Sequence, residues 1–250
     1  MRLSSNIMMT AAGAGVVMGL AGCTGSPEKV DVLSEGFAAT QTNAMIYIDG
    51  KLNEPAWNTA QTVPIRFIFE PKEFSGEVSY TSARMLWDDS FLYVAFKCLD
   101  TDVKSFSSKH DDTHWNSDVV EFFVQPHEDE VFYTEVVVSP NGATYDGAYN
   151  KRWEKGGAAW SSNAFVGSVV TGTIDDDNDT DVGYTVELAI PLDKVSDRPV
   201  VAGETQWRFG AFRYDYDKKW EEPLLLMSFP ESKAGFHYYE GYLPLRFEKD

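Results

Sequence analysis

Glu121 is an acid inside an apolar run. It stands in DVVEFFVQ (118–125), where Val120, Phe122 and Val124 form one strand face and Val119 and Phe123 flank it on the other. Burying an unpaired carboxylate is costly, so this group must be paired, hydrogen-bonded or turned toward a groove. Trp115 closes the polar loop SSKHDDTHW just ahead of that strand, a placement that suits an exposed flat platform. Farther on, Trp207, Phe209 and Ala211 share a face with Arg213 and Asp215, so an apolar stripe ends in an ion-capable pair. That pair fits a ligand contact or a structural salt bridge. His110-Asp-Asp-Thr-His114 has the spacing of a zincin pair but carries Asp111 where the Glu belongs, and it runs into a strand rather than along a helix. Asp175-Asp-Asp-Asn-Asp-Thr-Asp181 repels itself unless it is solvated or bridged by a cation, which makes Asp175, Asp177 and Asp179 candidate calcium ligands. It is not an EF-hand: Thr180 takes the place of the Gly, and Glu187 falls one position late.

Strands must position these groups. Val182, Tyr184, Val186, Leu188 and Ile190 alternate with Gly183, Thr185, Glu187 and Ala189, an apolar-in, polar-out strand stopped by Pro191. Runs at 80–87 and 91–97 are joined by Asp88-Asp89-Ser90, a hairpin signal. Runs at 118–125 and 132–138 follow, then a turn at Pro140-Asn141-Gly142, and runs at 163–174, 205–214 and 242–247 complete the set. LDKVSD at 192–197 allows a single helical turn; no stretch has a longer helical period. Many strands of this length with turn residues between them predict an all-β fold, an antiparallel sandwich or barrel.

The composition sets outer bounds. The chain has 250 residues, 43% of them apolar, with 7 Trp, 12 Tyr, 16 Phe and a formal charge of −18. This excludes a disordered tail, a collagen-like fibre and a multi-span membrane protein. A net anionic surface without a Lys/Arg-rich stripe argues against a nucleic-acid partner. One domain of roughly 200 residues is expected. Ahead of it, residues 1–22 read as an export signal, and Leu20-Ala21-Gly22-Cys23 fits the bacterial lipobox, in which Cys23 is acylated and tethers the chain to a membrane. Residues 23–41 read as the lipidated Cys and a flexible tether, and 42–250 as the domain. Thr24 lacks the Asp that retains many lipoproteins at an inner membrane, which favours the outer membrane. Cys98 then remains without a partner; it alternates with Leu92, Val94 and Phe96, as a buried inert thiol would.

Several segments occur in an order and spacing that resemble one family. They are IDGKLNEPAWNTA (48–60), ARMLWDDSFLYVAFKCLDTDV (83–103), WNSDVVEFFVQP (115–126), YTEVVVSPNGATYD (133–146), DTDVGYTVELAIPLDKV (179–195) and WRFGAFRYD (207–215). Across 46–247 the chain resembles the family 9 carbohydrate-binding modules and their secreted relatives. The resemblance implies a β-sandwich that binds sugars, often beside glycoside hydrolases, and that commonly holds structural calcium.

Sugar rings present an apolar C–H face and an edge of hydroxyls, so flat aromatic rings and carboxylates are the groups that recognise them. In the resemblance, Trp115 matches a platform Trp, Glu121 a ligand-contacting Glu six residues later and Asp215 a ligand-contacting Asp, with Arg213 beside it. The second platform is absent as a clear Trp, and Phe236 or Trp220 must serve. The family's strand Arg is replaced by an apolar residue near Val137, and a polar amide position by Phe212. Trp153 and Trp160 stand in a longer loop that extends the groove or packs within itself. No nucleophile elbow, P-loop or Gly-x-Gly-x-x-Gly occurs, so the expectation is a binder and not an enzyme. The rival from another class is a b-type haem domain of the related DOMON type, with Met85 and His110, His114 or His237 as axial ligands.

Overall fold

The computed structural model describes residues 32–69, 77–154, 159–219 and 222–250. Residues 1–22, Cys23 and Trp220 therefore lie outside the described residues. The described part is almost entirely strand: β1 (Phe37–Gln41), β2 (Thr62–Pro64), β3 (Phe67–Ile68), β4 (Thr81–Trp87), β5 (Phe91–Leu99), β6 (Val119–Gln125) and β7 (Tyr133–Val138). Next come β8 (Thr144–Tyr149), β9 (Phe165–Thr171), β10 (Gly183–Pro191), β11 (Gln206–Asp215), β12 (Leu224–Met227) and β13 (Leu243–Glu248). One-turn helices occur at Val32–Glu35 (α1) and Leu192–Val195 (α2).

The strands form one curled sheet in the order β8-β7-β6-β11-β13-β1-β4-β5-β10-β9, with β2, β3 and β12 attached off that path. Strand β1 runs parallel to both β13 and β4, while the other pairs are antiparallel. It is the seam between two half-sheets, β8-β7-β6-β11-β13 and β4-β5-β10-β9, whose inner faces enclose the core as in a β-sandwich. Phe37 and Ala39 on β1 are themselves core residues. The domain therefore begins before residue 42, and the expected tether does not extend through 37–41. Those few residues lack a long alternation, and their place is decided by pairing with the far end of the chain.

The hairpins follow local turn chemistry. Asp88 Oδ1 accepts hydrogen bonds from the backbone N–H groups of Ser90 (2.7 Å) and Phe91 (2.8 Å), which closes β4 onto β5. Gly142 adopts φ 84°, the left-handed conformation needed at the β7–β8 turn. The inner faces pack Met85, Val94, Phe96, Phe122, Leu188, Phe209 and Phe247, and Cys98 lies among them, 1% exposed, with its thiol pushed up to about 12 by burial.

The outer face of β10 departs from the polar-out expectation. Residues 46–60 cross it, and a second cluster of Ile46, Trp57, Leu86, Tyr93, Ala95 and Ala189 forms beneath them. Glu187 is fully buried there and accepts hydrogen bonds from Trp57 Nε1 (2.9 Å), Gly50 N (2.7 Å) and Asp49 N (3.0 Å). Burial raises its pKa, and those donors work in the opposite direction. At the crossing the chains nearly touch: a Cβ on Gly167 would lie 2.6 Å from Gly50 N.

Candidate functional site

Strand parity builds the site. In the antiparallel ladders Glu121 of β6 lies opposite Phe212 of β11 and Val137 of β7, while Phe123 lies opposite Glu135. Tyr133, Val137 and Glu135 of β7 face Tyr149, Tyr145 and Gly147 of β8. Residues of one parity share a face, so two carboxyls and several rings crowd the outer face of four adjacent strands. The segment between β12 and β13 covers part of that face. Phe236 stacks on Phe212 with ring centroids 4.3 Å apart, and His237 meets Phe123 edge-on at 5.3 Å.

What remains open is a cleft of about 520 Å³. Glu121, Glu135, Tyr145, Tyr149 and Tyr214 line it from the sheet, and Lys233 to His237 line it from the covering segment. Trp115 and Trp153 line it from two loops, with Phe69. Trp115 is half-buried in a 3-10 turn, and its ring stands perpendicular (89°) to Tyr145 at 5.4 Å. Tyr216 holds the turn by donating from its hydroxyl to the Trp115 carbonyl at 2.9 Å. Trp153 is 64% exposed and has φ 56°.

The electrostatics are unusual for so acidic a floor. Glu135 accepts a hydrogen bond from Tyr149 Oη at 2.7 Å, and Tyr149 shares a second with Tyr145 at 2.9 Å. No described residue donates a hydrogen bond to Glu121, and no basic side chain pairs with either carboxyl. Burial lifts Glu135 to about 7, and burial together with the neighbouring Glu135 lifts Glu121 well above the usual carboxylate range. His237 is pushed down to about 4, first by burial and then by Arg152, so it is neutral at pH 7; its Nδ1 pairs with Tyr133 Oη at 2.9 Å. The cleft thus combines aromatic walls with carboxyl oxygens that still have lone pairs to offer, an arrangement matched to hydroxyl-bearing rings.

The expected site residues divide. Trp115, Glu121 and Phe236 come together in the cleft, although Phe236 is 6% exposed and serves as a wall. Arg213 and Asp215 do not join them. They have the opposite strand parity and point inward, where both are sealed. Arg213 donates to Asp100 at 2.7 Å, Asp215 at 2.9 Å, Thr81 Oγ1 at 2.8 Å and the Leu99 carbonyl at 2.9 Å. This is a structural ion cluster completed by Asp118; burial lifts Asp215 to about 7 against the pull of Arg213. The reading of Asp215 and Arg213 as ligand contacts is corrected accordingly.

Among the described residues, the carboxylates of the acidic loop are engaged one by one rather than converging. Asp175 Oδ1 accepts from Ser105 N at 3.1 Å, Asp179 Oδ2 from Thr173 Oγ1 at 2.7 Å, and Asp177 is bridged by Lys104. None of the three belongs to a converging group of ligand atoms among the described residues. Met85 is fully buried in the core, His110 is exposed on a loop, and His114 is buried with no partner for either ring nitrogen among the described residues. Trp160 does not line the cleft. His237 entered the sequence reading only as a candidate haem ligand, and Glu135, Tyr145, Tyr149 and Tyr214 escaped it as site residues. The available signal was their common parity with Glu121 across neighbouring strands.

Comparison with known proteins agrees with this architecture. A family model described as "Carbohydrate family 9 binding domain-like" matches residues 48–222. A carbohydrate-binding module family 9 from Caldicellulosiruptor kristjanssonii, solved with cellotriose, superposes with a TM-score of 0.61 at 16% identity, over 86% of this chain and 94% of that one. The same module with glucose gives 0.61 at 16% identity, over 86% and 96%. A putative carbohydrate-binding protein from Bacteroides uniformis ATCC 8492 gives 0.63 at 16% identity, over 85% and 100%. No curated protein matches the chain. With the aromatic cleft on one face of a curled antiparallel sheet and a family model spanning most of the sequence, the chain belongs to the carbohydrate family 9 binding domain-like family.

Proposed function

We propose that the cleft between Trp115 and Trp153 holds a saccharide, with rings laid against the indoles and hydroxyls directed at Glu121 and Glu135. The observation that carries this is Glu121: a buried carboxyl facing an open, aromatic-walled cleft with no hydrogen-bond donor among the described residues. Such a group is left for a ligand to satisfy, and a hydroxyl does so without importing a charge. We read the protein as a binding module without its own catalysis, a reading the family match favours.

Acylation of Cys23 would confine the domain to the cell envelope, with the outer membrane as the proposed destination, where glycoside hydrolases or glycan transporters are the natural partners. Confinement to a surface amplifies modest affinity through avidity. Gluco-oligosaccharides are the first ligands to try, because the Caldicellulosiruptor module was solved with cellotriose and with glucose. The test is a glycan array followed by titration of the soluble domain with intrinsic tryptophan fluorescence as readout. Saturable binding to a defined oligosaccharide, with a change in indole emission, is expected. Absence of binding across neutral and charged oligosaccharides would contradict the proposal.

A further inference from the structure

His110 and Asp111, in the loop ahead of Trp115, form a second polar cluster with Asp146 of β8. One ligand atom from each lies within 4.8 Å of the others. His110 Nε2 is 3.5 Å from Asp111 Oδ1. Its other nitrogen, Nδ1, faces the Thr144 carbonyl at 3.1 Å and Thr144 Oγ1 at 2.9 Å. An Nδ1–H donated to that carbonyl leaves the Nε2 lone pair free, the tautomer a metal-binding imidazole requires.

Asp146 supplies the independent observation. It is 3% exposed, and its two oxygens are unequally treated. Oδ2 accepts from Ser162 N (2.8 Å), Ser162 Oγ (2.5 Å) and Ser161 Oγ (3.4 Å). Oδ1 is sealed from solvent and has no partner among the described residues. An orphaned buried carboxylate oxygen is costly to leave unpaired, so one beside an imidazole and a second carboxylate calls for a cation. The backbone is already shaped for it: Asp111 has φ 59°, and its N–H donates to the Thr144 carbonyl at 2.9 Å.

We propose that His110, Asp111 and Asp146 bind a divalent transition-metal ion of the zinc type, through His110 Nε2, one Asp111 oxygen and Asp146 Oδ1. An imidazole with two carboxylates neutralises a divalent charge, and the nitrogen ligand selects against calcium and magnesium, which prefer oxygen. His110 and Asp111 are exposed, so water completes the coordination. The ion clasps the loop that ends in Trp115 to strand β8.

The test is calorimetric titration of Zn²⁺ into the chelator-treated full chain, with Co²⁺ absorption as a spectroscopic readout and Ca²⁺ as a control. One equivalent of Zn²⁺ should bind, Co²⁺ should give visible d–d bands, and Ca²⁺ should not compete at this site. His110→Ala and Asp146→Asn should each weaken Zn²⁺ by about tenfold or more and abolish the Co²⁺ bands. Asp146 also anchors Ser162, so the surface variant His110→Ala decides the matter if Asp146→Asn misfolds. No Zn²⁺ binding, or binding that His110→Ala leaves unchanged, overturns the proposal and leaves a buried water as the partner of Asp146 Oδ1.

Discussion

Protonation of Glu135 ties the cleft to the stability of the fold. Burial holds its carboxyl up to about 7, against the ordinary 4.5, so between those values the folded chain binds more protons than the unfolded chain. A raised carboxylate pKa of this kind makes its stabilising contribution fullest below about 4.5, and the contribution is lost as the pH rises through about 7. The urea midpoint of the wild type should therefore fall between pH 5 and pH 8. Glu135→Gln, which cannot ionise, should reduce that fall; an unchanged pH slope would show that Glu135 is not the titrating group. Arg213 makes the opposite case, a permanent charge among buried acids. Arg213→Met leaves Asp100, Asp118 and Asp215 uncompensated and should cost about 3–5 kcal/mol by denaturant unfolding. Normal stability with lost sugar binding would return Arg213 to the ligand site. The two acids differ in legibility for a physical reason. Glu121 stands out because its own strand neighbours are bulky and apolar, whereas Glu135 in YTEVVV looks like an ordinary outward acid. Its role comes from lateral pairing with β6, which no local period encodes.

Among the elements, the segment 46–60 illustrates how a sheet face becomes covered. The strand at 183–191 was legible from its alternation, but the covering segment was not, since Glu187 sits where a solvent-facing residue belongs. Only the convergence of Trp57 and the Asp49 and Gly50 amides on its carboxylate explains its burial. Gly50 makes this segment brittle: it holds φ 81°, and a Cβ there would meet the Ser168 backbone at 2.7 Å. Gly50→Ala should lose about 2 kcal/mol or more, measured by thermal or urea unfolding. A change within about 0.5 kcal/mol would mean that the crossing is looser than described. The other long strands and the β4–β5 hairpin were readable because alternation and turn residues are local; of the β7–β8 hairpin only the turn was, since Asp146 and Gly147 break the apolar alternation of β8. Strands β1, β2 and β3 are too short for alternation to register, and β12 is an unbroken apolar run, Leu224 to Met227.

At the scale of the molecule, β1 joins the two half-sheets and makes the fold depend on residues a sequence reading assigns to a tether. A chain beginning at residue 42 loses the parallel partners of both β13 and β4. It should be markedly less stable than one beginning at residue 31, or insoluble, by thermal melting of the two purified fragments. Equal melting points would remove β1 from the structural core. The sandwich class was legible across the whole chain because it rests on many independent strands. The composition of the cleft was legible only in part, because it is assembled from four strands and four connecting segments distant in sequence.

The central claim is that an indole platform and a buried carboxyl share one saccharide. Its most direct test is calorimetric titration of a bound oligosaccharide into the wild type, Trp115→Ala and Glu121→Gln, each first shown to be folded. The account predicts that each substitution weakens binding by about tenfold or more, from lost stacking in one case and a disrupted hydrogen bond to the buried carboxyl in the other. Unchanged affinity in both folded variants would contradict it.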